Sequence, residues 1–517
     1  MRSSLHLLAV LIPFSLLAAS PAGAKASDQR STKAPNILFI AVDDMNDWAI
    51  GGRPGIRTPN IDRLRAAGVT FVNAHCASPS CHPSRLSVMT GVRPSTSGID
   101  LNVYGRTAPS WRKGPDSGTG ALENAVVLSQ HFRNHGYRAI GGGKIFHGLQ
   151  WVDGSENEAS DWDDYFPSAS DQIPFQPRPD DLVDDHLSGI IGERPIGGDT
   201  GRRGQVFGAH PLALSDAKMS DYQVVDWALH QINSPQDKPL FLAVGLFRPH
   251  MPWEVPQKYF DLYPLSEIHR PPVLANDLSD THGHNRVSWQ RWVLANEEKF
   301  QMWERLIQGY QASITFADAQ LGRLLDGLKK SPLAKNTIVV LWSDHGMHMG
   351  EKENWEKFTL WYRSTHVPLI IALPDGAHSG STVKAPASLI DIYPTLCELA
   401  RLPVPGQCEG TSLVPQLMNP AARRTQPAVT TQTYGLQSGH SVTGERWHYI
   451  RYFDGYKELY DLANDPNEFT NVAGNAAFAE VKQELFEALK RTGAPLDGVY
   501  RRIDTGALVK PLRGPAK

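Results

Sequence analysis

Five short stretches carry side-chain types that can do chemistry together. They are Asp43-Asp44, the pair Lys144 and His147, Arg248-Pro249-His250, Ser343-Asp344-His345-Gly346 with Lys357 downstream, and Cys-His-Pro-Ser-Arg from Cys81 to Arg85. Asp43, Asp44 and Asp344, if gathered at one place, make an oxygen-rich site for a hard divalent cation, with Ca²⁺ favoured over Mg²⁺ on weak grounds. The competing role for any one aspartate after a strand is to cap the next helix. His345 suits an oxygen-preferring ion less well, so it serves either as a weak ligand or as a hydrogen-bond donor to a bound anion. Lys144, His147, His250 and Lys357 would add positive charge and proton carriers. A lone His or Lys is more often a surface or core residue, and these four gain weight only from where they fall in the chain. With Arg85 they suit a tetrahedral oxyanion ester, in which charge builds on non-bridging oxygens and on the departing alcohol.

Cys81 raises a separate question. Pro83 suits the first turn of a helix that runs to Met89 and stops at Thr90-Gly91, which places residue 81 at the amino end, where backbone N–H groups and the helix dipole favour anions. A thiolate there is a competent nucleophile. A bridge to Cys76 would make it an inert staple instead. The four cysteines, Cys76, Cys81, Cys397 and Cys408, are too few for a disulfide scaffold, although Cys397 and Cys408 flank the loop LPVPGQ closely enough for a local bridge.

The elements that must position these groups are readable from apolar runs. NILFIAV (Asn36 to Val42) runs into Asp43, TIVVLW (Thr337 to Trp342) into Ser343, PLFLAVGL (Pro239 to Leu246) towards Arg248, and Tyr137 to Ile140 leads through three glycines to Lys144. Continuous apolar runs without alternation imply strands buried on both faces, as in a parallel sheet covered by helices. Helices are expected between them: one capped by Thr58 with Pro59 at its first position and stopped by Gly68, one capped by Ser220 and ended by Pro235, and a long amphipathic one through Ile307, Tyr310, Ile314, Leu321 and Leu328, closing at Lys329-Lys330. The expected fold is therefore α/β, a mostly parallel central sheet flanked by helices, with ligands bound beyond the carboxyl ends of the strands. Near the C-terminus, ERWHYIRYF, an Asp454-Gly455 turn and KELYDLANDP predict an antiparallel hairpin, followed by a helix from about Ala476 to Lys490, in a smaller α+β part. Residues 151–211 and 263–286 are Pro/Gly/Asp-rich and predict long surface loops, in which Trp151, Trp162, His282 and His284 cannot be sorted into pocket and surface.

Bulk composition narrows the functional class. The 517 residues are 41% hydrophobic and 20% charged with a net charge of −3, enough for a large core and without the basic field expected of a nucleic-acid or anionic-membrane binder. Residues 1–24 read as a signal peptide: Arg2, an apolar run from Leu5 to Ala18, and a cleavage motif at Ala22-Gly23-Ala24. The apolar run is short for a membrane span. A periplasmic or secreted protein is expected, with domains at 35–430 and 431–517.

The stretch Cys81, Pro83, Ser84, Arg85, Met89, Thr90, Gly91 matches C-x-P-S-R-x-x-x-[LM]-T-G, and in this the chain resembles the type I sulfatases. AVDD with TPNIDRL, GGGKIFH, FLAVGLFRPHMPW, SDHGMHMGEKENWEKF and THVPLII are most similar to the iduronate-2-sulfatase branch, over roughly residues 35 to 500. The resemblance implies the alkaline phosphatase/sulfatase-like fold and hydrolysis of sulfate monoesters, with a sulfated carbohydrate as substrate. It further implies that a formylglycine-generating or equivalent maturation enzyme converts Cys81 to formylglycine. By the same resemblance Asp43, Asp44, Asp344, His345 and the modified residue 81 bind one Ca²⁺, and Arg85, Lys144 and Lys357 hold the sulfate and the hydrated aldehyde. His250 or Lys357 then protonates the leaving alcohol, and His147 takes the proton that lets sulfate depart. Where iduronate-type enzymes carry a tryptophan two residues after the metal histidine this chain has Met347, which leaves Arg106, Arg112 and Lys113, otherwise solvated loop charges, as candidates to meet a uronate. Two alternatives stand beside this reading: a phosphonate monoester or phosphodiester hydrolase of the same superfamily, and a non-catalytic secreted binder of sulfated glycans.

Overall fold

The computed structural model describes residues 33–51, 55–102, 111–112, 118–147, 161–167, 192–193, 206–282, 288–433 and 438–497. The expected signal peptide, most of the 151–211 loop, and Arg106, Lys113, Trp151 and His284 lie outside them.

Eight strands form the central sheet: β1 (Asn36–Val42), β2 (Val69–Phe71), β3 (Arg138–Gly143), β4 (Asp164–Phe166), β5 (Leu240–Leu246), β6 (Thr337–Ser343), β7 (Leu369–Ala372) and β8 (Thr382–Val383). Their order is β8-β2-β7-β6-β1-β5-β3-β4. The five strands β6-β1-β5-β3-β4 run parallel to their neighbours, whereas β7 is antiparallel to both β6 and β2. The reason β1 reads as an unbroken apolar run is that its two faces feed two cores. Leu38, Ile40 and Val42 pack into one with the helices α3 (Ser220–Asn233) and α4 (Met302–Lys330), while Ile37, Phe39 and Ala41 pack into the other with α2 (Cys81–Thr90) and α5 (Ile392–Leu399). Register then aligns the strand ends. Val42 lies opposite both Leu246 and Ser343, and Gly143 opposite Gly245, so the residues that follow β1, β3, β5 and β6 emerge at one edge.

Helix boundaries agree with the sequence patterns, but two caps do not. α1 (Pro59–Ala67) has Thr58 at its cap position without a capping hydrogen bond. The free amides of Asn60 and Ile61 are instead taken by the Asp318 carboxylate of α4, at 3.0 and 2.7 Å. Ser220 is the first residue of α3 and Met219 occupies the cap position.

The C-terminal part is an antiparallel sheet, β9 (Ala428–Gln432), β10 (Gly439–Thr443), β11 (Trp447–Tyr452) and β12 (Lys457–Asp461), covered by α6 (Ala479–Arg491) through Val442, Tyr449, Leu459 and Leu489. The expected hairpin is β11–β12, with Gly455 in the left-handed region (φ +92°) at its turn. β9 is also stitched to the larger part, because Thr431 N–H donates to the Ala77 carbonyl (2.9 Å) and the Thr430 hydroxyl to the Cys76 carbonyl (2.6 Å).

Candidate active site

At the common strand edge the chain leaves β1 through Asp43 and Asp44. Asp44 adopts φ +59°, a left-handed conformation that a non-glycine residue holds only when its surroundings enforce it. Its amide donates to Asp344 Oδ1 (3.0 Å), and the Tyr310 hydroxyl of α4 donates to its carbonyl (2.8 Å). Asp344, just past β6, has its carbonyl held by Ser84 Oγ at 2.5 Å. Arg85 lies between these aspartates and is fully buried. Its Nε donates to Asp344 Oδ2 and its Nη2 to Asp43 Oδ1, each at 2.8 Å, and Nη1 reaches the Lys144 and Ile145 carbonyls. Every nitrogen of the guanidinium is thus engaged. The structure ties Arg85 to the two carboxylates of the cluster.

Cys81 opens α2, with the Asn102 side-chain oxygen accepting both His82 N–H and Ser80 Oγ–H at 2.8 Å on either side of it. The thiol is fully buried, 3.2 Å from His345 Nε2, 3.0 Å from Lys357 Nζ and 3.9 Å from Asp44 Oδ1. Its sulfur stands where the oxygens of a formylglycine would be. Burial alone would raise its pKa, but Lys357, Lys144 and His345, with a hydrogen bond from His147, bring it well below the usual thiol value. The stapling alternative is therefore not what forms: Cys76 is a free thiol turned to the Ser364 carbonyl (3.9 Å), and burial pushes its pKa up. Cys397 and Cys408, whose spacing allowed a local bridge, are free as well and pack beside Tyr393 and the Gly91 turn that ends α2.

Lys357 follows a short antiparallel pair, His348–Met349 with Trp355–Glu356, and is flanked by Glu356 (φ +71°) and Phe358 (φ +72°). That backbone strain turns its ammonium inward to Asp44 Oδ1 (2.6 Å). Lys144 forms a close ion pair with Asp43. Its approach depends on Gly245, where a Cβ would stand 2.3 Å from the Lys144 backbone. His250 donates through Nδ1–H to the Met251 carbonyl (2.5 Å), so Nε2 is the nitrogen that faces Asp44 Oδ2, 3.9 Å away. His345 is oriented likewise by Gly346 O (3.0 Å).

Burial disfavours the charge on Asp43, yet Lys144 and Arg85 outweigh it and hold its carboxyl far below the ordinary range. Burial raises Asp344 despite Arg85, and the adjacent His345 is raised because Asp344 outweighs its own burial. The donors fit a divalent cation. One atom from each of Asp44, Cys81, Asp344 and His345 lies within 4.8 Å of the other three, Asp43, Asp44 and His250 form a second such group, and Asp44 Oδ2 is buried without a hydrogen-bond partner.

All ten residues expected from the sequence meet at this edge. Of the candidates to meet a uronate, Arg112 is ion-paired to buried Asp161 (2.9 Å); Met347 is fully buried in the core, and of the residues left unsorted between pocket and surface Trp162 packs against Tyr165 and His282 pairs with Asp454 beside Tyr452. The sequence reading missed Asn102 and Tyr310 as supports of the site. Tyr310 carried no signal beyond its place on an apolar helix face.

The family described as Sulfatase matches residues 35–402, and the C-terminal domain described for N-sulphoglucosamine sulphohydrolase matches residues 350–494. The chain is 40% identical over 483 residues to a sulfatase of Formosa agariphila, covering 92% of this chain and 90% of that protein. It is 28% identical to human iduronate 2-sulfatase (75% and 72% covered) and 26% identical to an ulvan-active sulfatase of Formosa agariphila (96% and 88%). Among solved structures it resembles one described in complex with its substrate D-glucosamine-2-N,6-O-disulfate (TM-score 0.63, 20% identity, 89% and 97% covered). It also resembles a phosphonate monoester hydrolase from Silicibacter pomeroyi (TM-score 0.66, 20% identity, 88% and 94% covered). At such identities these two show the shared fold alone.

Proposed function

Because the chain belongs to the sulfatase family, and so to the sulfuric ester hydrolases of alkaline phosphatase-like fold, we propose that it hydrolyses sulfate monoesters of a carbohydrate at the site built around residue 81. The observation that carries this reading is the convergence of Cys81, at the first position of α2, with Asp44, Asp344, His345 and Lys357 in one buried cluster. The relatives named for iduronate and ulvan support a sulfated uronic acid or related sugar. The phosphonate hydrolase likeness is one of fold, and the full set of proton carriers argues against a mere glycan binder.

In this reading Cys81 is converted to formylglycine by a maturation enzyme, and the hydrated aldehyde supplies two hydroxyls on one carbon, one to accept the sulfuryl group and one to release it. Asp43, Asp44, Asp344 and His345, with residue 81, would hold a divalent cation, Ca²⁺ before Mg²⁺, which supplies charge against the sulfate oxygens. The chain's own residues do the rest. Lys357 and Lys144 place ammonium groups beside the reacting position, where buried charge acts strongly on developing negative charge. His250 presents Nε2 to the site and, as an imidazolium with Nδ1–H held by Met251 O, gives the Nε2 proton to the departing alcohol oxygen, while His147, hydrogen-bonded to residue 81, removes the proton whose loss expels sulfate. Overall, ester and water become alcohol and hydrogen sulfate. Arg85 holds Asp43 and Asp344 at a fixed separation. Residues 35–430 form the catalytic part and 431–517 the smaller one. Residues 1–24 direct export to the periplasm or beyond, and no helix of the described residues is long and apolar enough to cross a membrane.

Parallel assays of an aryl sulfate and a phosphodiester with the same leaving group test the reaction class. Sulfate release should dominate and should vanish in Cys81→Ala and Cys81→Ser. Faster phosphodiester cleavage, or sustained turnover by either variant, would overturn the reading.

A further inference from the structure

Two buried charged residues outside the cluster converge on the turn that carries His250. Asp221, in the first turn of α3, sends its carboxylate to the end of β5, where Oδ1 accepts the Phe247 amide (2.8 Å) and Oδ2 the Arg248 amide (2.9 Å). Arg248 enters the same turn from the other side. Its Nη1 donates to the His250 carbonyl (2.8 Å) and its Nε to the Glu254 carbonyl (3.0 Å). Both side chains are out of solvent, at 2% exposure for Asp221 and 4% for Arg248.

Burying a carboxylate and a guanidinium costs free energy that apolar side chains would not incur. Their hydrogen bonds are spent on backbone groups of residues 247, 248, 250 and 254, so what they determine is the path of the turn around His250. The rest of the turn is tied in the same sense. The Trp253 indole N–H donates to the Pro249 carbonyl (2.8 Å), and the His250 ring packs on Phe247 with centroids 4.9 Å apart. The Lys144 ammonium lies 5.1 Å from that same Phe247 ring. The Nδ1–H bond of His250 to Met251 O sets which nitrogen faces the site but not the location of the ring, which follows the carbonyl of residue 250 that Arg248 holds. Displacing a proton donor by about 1 Å can cost roughly a hundredfold in rate.

We infer that Asp221 and Arg248 are positioning residues that hold His250 Nε2 where it can protonate the leaving alcohol. The inference rests on the role given to His250 above, and the test separates the two. A donated proton matters more as the leaving alcohol becomes more basic, so kcat/KM is measured on aryl sulfates whose phenols span a range of acidity. Wild type, His250→Gln, Asp221→Asn, Arg248→Lys and the double variant Asp221→Asn/His250→Gln are compared, each with its modification at residue 81 quantified.

Asp221→Asn and Arg248→Lys should both lose kcat more than they raise KM. Their loss should grow across the series, from about tenfold on the most acidic phenol to about a hundredfold on the least, parallel to His250→Gln. In the His250→Gln background the Asp221→Asn loss should largely disappear, because its partner is already gone. A loss that stays uniform across the series in Asp221→Asn and Arg248→Lys, while that of His250→Gln grows, overturns the positioning role and leaves His250 as donor. A flat series for His250→Gln itself overturns the donor assignment, and the inference with it. Should Asp221→Asn fail to fold, Arg248→Lys, which keeps the charge and loses the reach to two carbonyls, carries the test.

Discussion

Arg85 carries three hydrogen-bonding nitrogens into a place with no solvent, and each meets a group that belongs to the site. Lysine cannot reproduce that geometry, since one ammonium cannot span Asp43 and Asp344 while satisfying two carbonyls. Arg85→Lys is therefore expected to lower stability by about 3–5 kcal/mol, as for other broken buried charge pairs, and to reduce sulfate release more than a hundredfold. Denaturant unfolding and an initial-rate assay check the two effects separately. Asp43, Asp44, Asp344, Lys144, His250 and the Cys81 stretch were legible in the sequence because each lies within a few residues of a strand's carboxyl end or opens a helix, where open α/β folds place their chemistry. Arg85 was legible as a candidate site residue but its ties to Asp43 and Asp344 were not, since a motif gives no direction for a side chain. Tyr310 and Asp318 were not legible at all. Their partners lie more than 250 residues away in the chain, and a polar residue on a helix face has the same local pattern whether it caps a neighbour or meets water.

At the scale of elements, the decisive feature is the alignment of β1, β3, β5 and β6, and two substitutions probe it differently. Phe39→Ala removes a fully buried ring from the core beneath β1 and should destabilise by about 3–5 kcal/mol, with the activity of the folded fraction retained. Gly245→Ala acts on the site itself: its Cβ would press on the Lys144 backbone, so the ends of β3 and β5 must separate and Lys144 must leave Asp43. Activity should fall well beyond the loss of stability. Gly406→Ala, with nothing within 4 Å of the added carbon, should change neither. Thermal midpoints and rates of the three variants decide this. The strands were readable because both faces are apolar. The caps of α1 and α3 were not, because in α1 the cap is supplied by another helix, and a sequence window contains only its own neighbours.

The whole molecule joins the C-terminal sheet to the catalytic edge. Thr430 and Thr431 bind the backbone just ahead of Cys81, and Gln432 Nε2 donates to the Phe358 carbonyl (2.9 Å) immediately after Lys357. Gln432→Leu leaves that carbonyl unpaired and should cost about 1–3 kcal/mol while also lowering turnover. Unchanged kinetics would show that the sheet does not brace the site. His448 and His440 of the same sheet, and His348, are buried neutral, with pKa values pushed down to about 3, 4 and 3. Their folded values lie below the unfolded histidine value of about 6.5, so their contribution is complete above that pH and is lost as pH falls toward 3–4. Removing one of them isolates the effect: the drop in melting temperature that acidification from about pH 6.5 to 4 brings through His448 should be missing in His448→Gln, and an equal acid response in the variant and the parent would contradict it. These long-range joints escaped sequence reading because β9 shows only the pattern of a short buried strand, which does not say what it will meet.

The account turns on residue 81 being the reacting group in its oxidised form. Mass spectrometry of the peptide that contains it, on protein produced with and without a formylglycine-generating enzyme, tests this most directly when sulfate release is measured on the same samples. An aldehyde in place of the thiol, with turnover proportional to its fraction, is the result expected. Full turnover from protein whose residue 81 is entirely thiol would contradict the account.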